Sequence, residues 1–215
     1  KAWLRHYFEE HIYPVVTPLA VDSGHPFPFL TNHTINAIVR IFQIQPDGTK
    51  DYKIAILPIP SVLDRIIEIP SRGNKEHRFV YLEDVITYYA NQFFQGYGIE
   101  DYMVFRITRD ADLEIDEEEA TDLLSEVEAS LRRRSRGDAV RLEVCGEVKD
   151  DLLDFVLTSV ELEPKDVYRI DGHLDCRMYF NFCNYPGLDQ LRYVPFEPKL
   201  PSELVNHEGE SLFSV

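Results

Sequence analysis

The apolar residues at the start of the chain recur at the spacing of an α-helix. Leu4, Phe8 and Ile12 follow one another at intervals of four, so that they share one helix face. Pro14 cannot continue a regular helix, because its ring fixes φ and it has no backbone donor. The pattern therefore predicts a helix over residues 1–13 whose apolar face packs on the rest of the molecule.

The remainder of the chain alternates between strand-like and helix-like patterns. Strands are predicted over residues 35–44, 53–58, 77–82, 102–108, 140–145 and 167–170. Helices are predicted over residues 82–94, 116–136, 149–159 and 175–184. This mixed order predicts an α+β fold in a single domain, with a mixed, largely antiparallel sheet, packed helices and a short N-terminal helix.

The segment 14–33 differs from both patterns. It contains four prolines, which exclude a regular helix or a central strand, and it is rich in valine, leucine and phenylalanine. Such a segment is too apolar for a solvated linker. It predicts a stiff connector that is buried as it enters the domain.

Residues 116–136 have the clearest helical pattern. Asp116 and Glu119 form a capping box at the start, and four arginines, Arg132, Arg133, Arg134 and Arg136, lie at the end. Arginine forks match phosphate oxygens, so this cluster is the candidate anion site of the chain. The alternative is that the arginines only complement the helix dipole and pair with the many acidic residues. The sequence leaves both interpretations open.

The composition and charge of the chain argue against several classes of function. The chain has 215 residues and a net charge of −16, and such an acidic surface repels duplex phosphate at long range, so no nucleic-acid partner is expected. No apolar run approaches the roughly 20 residues that a membrane-spanning helix needs, and no secretory signal opens the sequence. The three cysteines form no Cys-x-x-Cys pair, which is typical of free thiols in the cytoplasm.

The sequence contains no assembled set of catalytic motifs. The histidines form no metal-binding motif, and Gly96-Tyr97-Gly98 lacks the third glycine of a dinucleotide fingerprint. His25 and His33 are interpreted as partners of structural hydrogen bonds in the connector. The residues alone therefore predict a non-catalytic domain, with no catalytic residue, no metal ligand and no cofactor bound by this chain.

Four segments, spaced along the chain, are similar in sequence and in order to segments of a known family. They are residues 14–29 (PVVTPLAVDSGHPFPF), 105–113 (FRITRDADL), 131–144 (LRRRSRGDAVRLEV) and 167–172 (VYRIDG). In this order they resemble the middle, or head, domain of bacterial polyphosphate kinases over nearly all of residues 7–200. His173 stands where that family usually has proline.

The resemblance implies an activity for a larger parent protein. Enzymes of this family reversibly transfer the terminal phosphate of ATP to polyphosphate through a phosphorylated histidine, with Mg²⁺. The phosphorylated histidine belongs to a C-terminal region that resembles phospholipase D, so no catalytic residue of the family falls on this chain. The implied role of the segment is that of a scaffold that also forms a homodimer or higher homo-oligomer. The implied location is the cytoplasm, with membrane association of the parent left open.

The resemblance also implies an organisation. Residues 1–13 would end an N-terminal helical segment, residues 14–200 would form the head domain, and residues 201–215 would lead toward a C-terminal catalytic region. The chain begins at Lys1 and ends at Val215, and we expect it to be a fragment that is inactive alone. A stand-alone anion- or nucleotide-binding module and a small hydrolase with an unrecognised site are the alternatives.

Overall fold

The computed structural model describes residues 1–71, 76–110 and 137–199. The chain divides into two compact units, Lys1–Met178 and Tyr179–Val215. The helix predicted over residues 116–136 and the linker predicted over 201–215 lie entirely outside the described residues.

The predicted N-terminal helix is confirmed. Helix α1 (Ala2–Tyr7) continues as a π-helical stretch, Phe8–Ile12, in which the Tyr13 N–H donates to the Phe8 carbonyl oxygen at 2.8 Å. Phe8 and Ile12 are fully buried in the same core cluster as the strands that follow. The first residues are therefore an integral part of the first unit.

A six-stranded sheet forms the centre of the first unit. Its strands are β1 (Leu19–Val21), β2 (Ile35–Ile44), β3 (Lys50–Pro58), β6 (Gly98–Arg109), β7 (Ala139–Cys145) and β8 (Val167–Ile170). Their order across the sheet is β1-β3-β2-β6-β7-β8, and only the β7–β8 pair is parallel. A separate two-stranded sheet pairs β4 (Ile66–Ile69) with β5 (Arg78–Tyr81). The prediction of a largely antiparallel sheet is confirmed.

The sheet is buried on both faces, which explains the imperfect alternation of its sequence. On β2, Val39 and its neighbours at alternate positions pack into one cluster with Phe8 of the N-terminal helix. Ile38 points to the opposite face and packs with Phe105 and Leu152 in a second cluster. Because both faces are covered, a polar residue at every second position is not required.

The other helices among the described residues are short. They are α2 (Leu82–Tyr88), α3 (Asp150–Val160), α4 (Met178–Phe182) and the 3-10 turns Ala90–Gln92, Pro164–Asp166 and Asp189–Leu191. The predicted helix over 82–94 is wrong beyond Tyr88, because Tyr89 leaves helical geometry at φ −100° and ψ 13°. This break lets the rings of Tyr89 and Phe93 pack on Phe8, at centroid distances of 4.7 and 5.5 Å. The helix predicted over 175–184 is likewise shorter than expected.

The predicted burial of the connector is only partly right. Val16 and Leu30 are 6% and 4% exposed, but Val15 and Phe29 are 42% and 53% exposed. The Arg109 guanidinium lies over the Phe29 ring, 3.9 Å from its centre. The connector also contributes β1, whose position at the edge of the sheet is compatible with the neighbouring prolines.

Candidate functional site

An ion pair joins two adjacent strands on one face of the sheet. Arg106 on β6 lies directly opposite Glu143 on β7, and its Nε donates to the Glu143 carboxylate. The two side chains are only 15% and 8% exposed. Arg141, two positions before Glu143, also pairs with it, with 2.8 Å between Nη2 and Oε1. Glu143 is therefore a buried carboxylate held between two arginines, as a charge in this position requires.

Asp175 connects this pair to the loop that follows β8. Its Oδ1 lies 3.4 Å from Nη1 of Arg106, and its Oδ2 lies 2.7 Å from Nη2 of Arg177. Hydrogen bonds from Arg177 and the charges of both arginines lower the pKa of Asp175 to about 2. Its φ of +56° is a left-handed conformation that aspartate tolerates better than most residues. Asp175 is thus ionised and fixes the loop to the sheet.

A second buried pair also contacts this loop. Arg65, just before β4, donates from Nε to Oε2 of Glu83 on α2 at 3.0 Å, and Glu83 is only 3% exposed. The Nη1 of Arg65 also donates to the backbone carbonyl oxygen of Asp175 at 2.9 Å. We call the complete set of charged residues the Asp175 network; its members are Arg65, Glu83, Arg106, Arg141, Glu143, Asp175 and Arg177.

Three neighbouring contacts strengthen the attachment of this loop. The His173 ring stacks on Tyr81 at a centroid distance of 3.5 Å, and its Nε2 lies 3.1 Å from Asp84 Oδ2. The Cys145 thiol donates to the Gly172 carbonyl oxygen at 3.0 Å. Burial, followed by the charges of nearby carboxylates, raises the pKa of this thiol, so Cys145 is a poor nucleophile.

The network is suited to holding structure together. Each of its arginines already faces a carboxylate or a carbonyl oxygen. Within residues 1–71, 76–110 and 137–199, no group of three or more histidine, cysteine or acidic side chains could hold a metal ion. In the same ranges, no helix is long and apolar enough to cross a membrane. The contacts of the Asp175 network hold the loop that follows β8 in place.

The residues singled out from the sequence have different outcomes. Arg132, Arg133, Arg134 and Arg136 lie outside the described residues, so the anion site stays a prediction. His25 has the structural role expected of it, since its ring Nδ1 lies 3.1 Å from Asp22 Oδ1. The backbone N–H of His33 donates to the Ile107 carbonyl oxygen at 3.0 Å.

The Asp175 network is not predicted from the sequence, although the sequence contains one signal for it. Arg106 lies between Phe105 and Ile107, and Glu143 lies between Leu142 and Val144, so each strand carries a charged residue amid buried apolar ones. Opposite charges at such positions indicate a cross-strand pair. Asp175 lies in a loop, where no comparable pattern exists.

The fold and these contacts define a class of protein domain: an α+β domain whose sheet is covered on both faces and whose loop after the last strand is held by buried charged residues. A family model described as the polyphosphate kinase middle domain matches residues 1–182. The chain belongs to this polyphosphate kinase middle-domain family.

Individual relatives agree with this assignment. A polyphosphate kinase of Pseudomonas putida is 36% identical over 216 residues, which cover 100% of this chain and 29% of the relative. One of Bacillus cereus is 39% identical, covering 97% of this chain and 30% of the relative. The crystal structure of polyphosphate kinase from Porphyromonas gingivalis has a TM-score of 0.72 at 23% identity, covering 99% of this chain and 29% of that chain. This last likeness concerns the fold alone, and the chain spans less than a third of each of these proteins.

Proposed function

We propose that this chain is the non-catalytic middle domain of an enzyme that reversibly transfers the terminal phosphate of ATP to polyphosphate. The observation that carries the proposal is the family match over residues 1–182, together with relatives that bear the name polyphosphate kinase along nearly the whole chain. These comparisons give no support to a stand-alone binding module with the same fold.

The role of the segment within that enzyme is structural. The Asp175 network and the buried residue Leu174, which is 2% exposed, hold the loop after β8 against the sheet. This attachment keeps the end of the first unit folded against its own sheet. We also propose that the segment contributes to a homodimer or higher homo-oligomer.

The chemistry itself belongs to other parts of the parent enzyme. We propose that ATP, Mg²⁺ and a phosphorylated histidine act there and that the enzyme works in the cytoplasm. We further propose that Arg132, Arg133, Arg134 and Arg136 add to the binding of polyphosphate from this domain, since guanidinium groups form bidentate hydrogen bonds with phosphate oxygens.

A domain exchange tests the proposal. The segment of the P. putida relative that aligns with this chain is replaced by residues 1–215, and polyphosphate formation from ATP is measured beside the isolated chain. A second chimera carries the aligned segment of the B. cereus relative as a matched control. We expect activity from the first chimera whenever the control is active, and no ATP turnover by the isolated chain.

Two outcomes would contradict the proposal. The first is a folded chimera that makes no polyphosphate while the control chimera does. The second is ATP turnover by the isolated chain, which would place catalytic groups in this segment. Light scattering of the isolated chain tests self-association separately, and a monomer at all concentrations would remove the oligomer from the proposal.

A further inference from the structure

Within residues 1–71, 76–110 and 137–199, the sheet has an open edge at β8. This strand comes last in the strand order of the six-stranded sheet and pairs with β7 on one side. The carbonyl oxygen of Ile170 accepts a hydrogen bond from the Gly146 N–H at 3.0 Å, so Ile170 directs its backbone toward β7. Because backbone groups alternate along a strand, those of Val167 and Arg169 point to the open edge, where they can bind an added strand.

A groove of about 610 Å³ lies beside this edge, between β8 and α3. Its lining includes the apolar side chains of Leu153, Leu157 and Val167. Asp150, Asp154 and Arg169 add charge to it, with Arg169 coming from the strand and the two aspartates from the helix. An open strand beside a helix-lined groove that contains apolar side chains matches the requirements of peptide binding by strand addition.

The charges select the kind of peptide. Asp150 and Asp154 are four residues apart on α3 and therefore share one helix face. Asp150 is 92% exposed and lies 3.7 Å from Arg169. In the described part of the chain, Asp154 has no ion-pair partner. The groove thus carries an excess of negative charge along the helix, which favours a cationic side chain opposite it.

We propose that the groove between β8 and α3 binds an extended basic peptide segment, which pairs with β8 as a further strand. Its backbone bonds to Val167 and Arg169, an apolar side chain enters toward Leu153, and a lysine or arginine faces Asp154. Side chains on one face of a strand recur at every second residue. The peptide that fits therefore has its apolar and its basic residue at positions i and i+2.

A second copy of the chain fits the groove less well. The groove has two aspartates against one arginine, so two copies of this edge repel each other locally. Pairing two β8 edges would also bring two sets of Asp150 and Asp154 together with only two Arg169 side chains. Like charges facing each other oppose association, whereas a basic segment removes this conflict.

A designed peptide tests the proposal. The probe is an acetylated, fluorescein-labelled heptapeptide with valine and lysine taking turns at every second position and serine between them (Val-Ser-Lys-Ser-Val-Ser-Lys), so that valines and lysines share one strand face. Its binding to the full chain is measured by fluorescence anisotropy. Hydrogen exchange followed by mass spectrometry reports on the amides of residues 167–171. We expect saturable binding that weakens as salt increases, together with slower exchange at β8. A peptide with proline at its centre should bind at least tenfold more weakly.

Charge variants identify the groove. Asp150→Lys/Asp154→Lys should weaken binding at least tenfold, and Asp150→Asn/Asp154→Asn should weaken it by a smaller factor while leaving α3 intact. The matched control is Asp51→Lys/Asp64→Lys, which makes the same change in net charge at two exposed positions outside the groove lining. We expect the control to bind nearly as well as the unchanged chain.

Three results would overturn the proposal. One is absence of saturable binding by the lysine–valine peptide. Another is an equal loss in the groove and control variants, which would reduce the effect to net charge. The third is concentration-dependent dimerisation that protects the β8 amides without peptide, which would make a second copy the occupant. None of these results depends on phosphate-transfer activity.

Discussion

The Arg65 guanidinium donates a hydrogen bond to the backbone carbonyl oxygen of Asp175 at 2.9 Å, across 110 positions of sequence. The same guanidinium neutralises Glu83, which is 3% exposed. One side chain therefore satisfies a buried charge on α2 and an acceptor in the loop after β8. Because of this double role, we expect the loss of Arg65 to disrupt more contacts of the Asp175 network than the loss of any other member.

Replacing Arg65 by methionine should strongly destabilise the domain. Glu83 would remain as a buried, unpaired charge, which typically costs about 3–5 kcal/mol in the free energy of unfolding. Urea denaturation of the two proteins measures the difference. The double variant Arg65→Met/Glu83→Leu should recover much of the loss because it removes the unpaired charge.

Arg78 provides the matched control for this substitution. Its side chain is 65% exposed and pairs with Glu76 in solvent, so Arg78→Met should cost far less than Arg65→Met. Equal losses at the two positions would show that burial of the Arg65–Glu83 pair is unimportant for stability.

Asp175 should make stability depend on pH below about 4. Its pKa falls from an ordinary 3.8 to about 2 in the folded state, chiefly through hydrogen bonds from Arg177. A lowered folded-state pKa contributes stability that is present above the unfolded-state value and is lost as pH falls from about 4 through 2. With allowance for solvent screening at the exposed Arg177, we expect an effect on the order of 1 kcal/mol.

Asp175→Asn is the variant that isolates this charge. Asparagine also tolerates the left-handed backbone conformation, so the substitution removes the titrating group with little backbone strain. Urea denaturation between pH 5 and 3 should show a smaller loss of stability on acidification in the variant than in the unchanged chain. Parallel curves for the two proteins would mean that Asp175 titrates normally, and carboxyl-carbon NMR would then give a pKa near 3.8.

The sequence predicts those helices and strands whose pattern lies within their own residues. The β2–β3 hairpin follows from two apolar segments around Pro46-Asp47-Gly48, and the helix ending at Ile12 follows from residues spaced by four. The early end of α2 at Tyr88 could not be predicted in this way. It depends on aromatic packing with Phe8, about 80 positions earlier, which overrides local helical preference.

Less of the Asp175 network than of the fold can be predicted from the sequence. Arg106 and Glu143 carry a strand-level signal, because each interrupts a run of buried apolar residues. The contacts of Asp175 with Arg65 and Arg106 depend on where a loop folds back, and no periodicity encodes that. Short elements such as β4, with four residues, are also too brief for alternation to be informative.

The arginine cluster at the end of the predicted 116–136 helix should contribute to polyanion binding. Replacing Arg132, Arg133 and Arg134 by alanine removes charge-assisted hydrogen bonds, which contribute about 1.5–3 kcal/mol each, so the affinity for long-chain polyphosphate should fall at least tenfold. Anisotropy with labelled polyphosphate measures this. Replacing Arg5 and Arg78, which are exposed elsewhere, should leave the affinity nearly unchanged. Unchanged affinity in the triple variant would leave dipole complementation as the role of the cluster.

Truncating Phe8 should show that the N-terminal helix belongs to the core of the first unit. The ring is fully buried and packs on Tyr89 and Phe93, so Phe8→Ala should lower the free energy of unfolding by about 3–5 kcal/mol. Tyr88→Ala is the control, since Tyr88 is 67% exposed and should change stability by no more than about 0.5 kcal/mol. Urea denaturation monitored by tyrosine and tryptophan fluorescence measures both variants. If Phe8→Ala unfolds at the same urea concentration as the unchanged chain, residues 1–13 fold independently of the sheet, as an N-terminal segment separate from the head domain would.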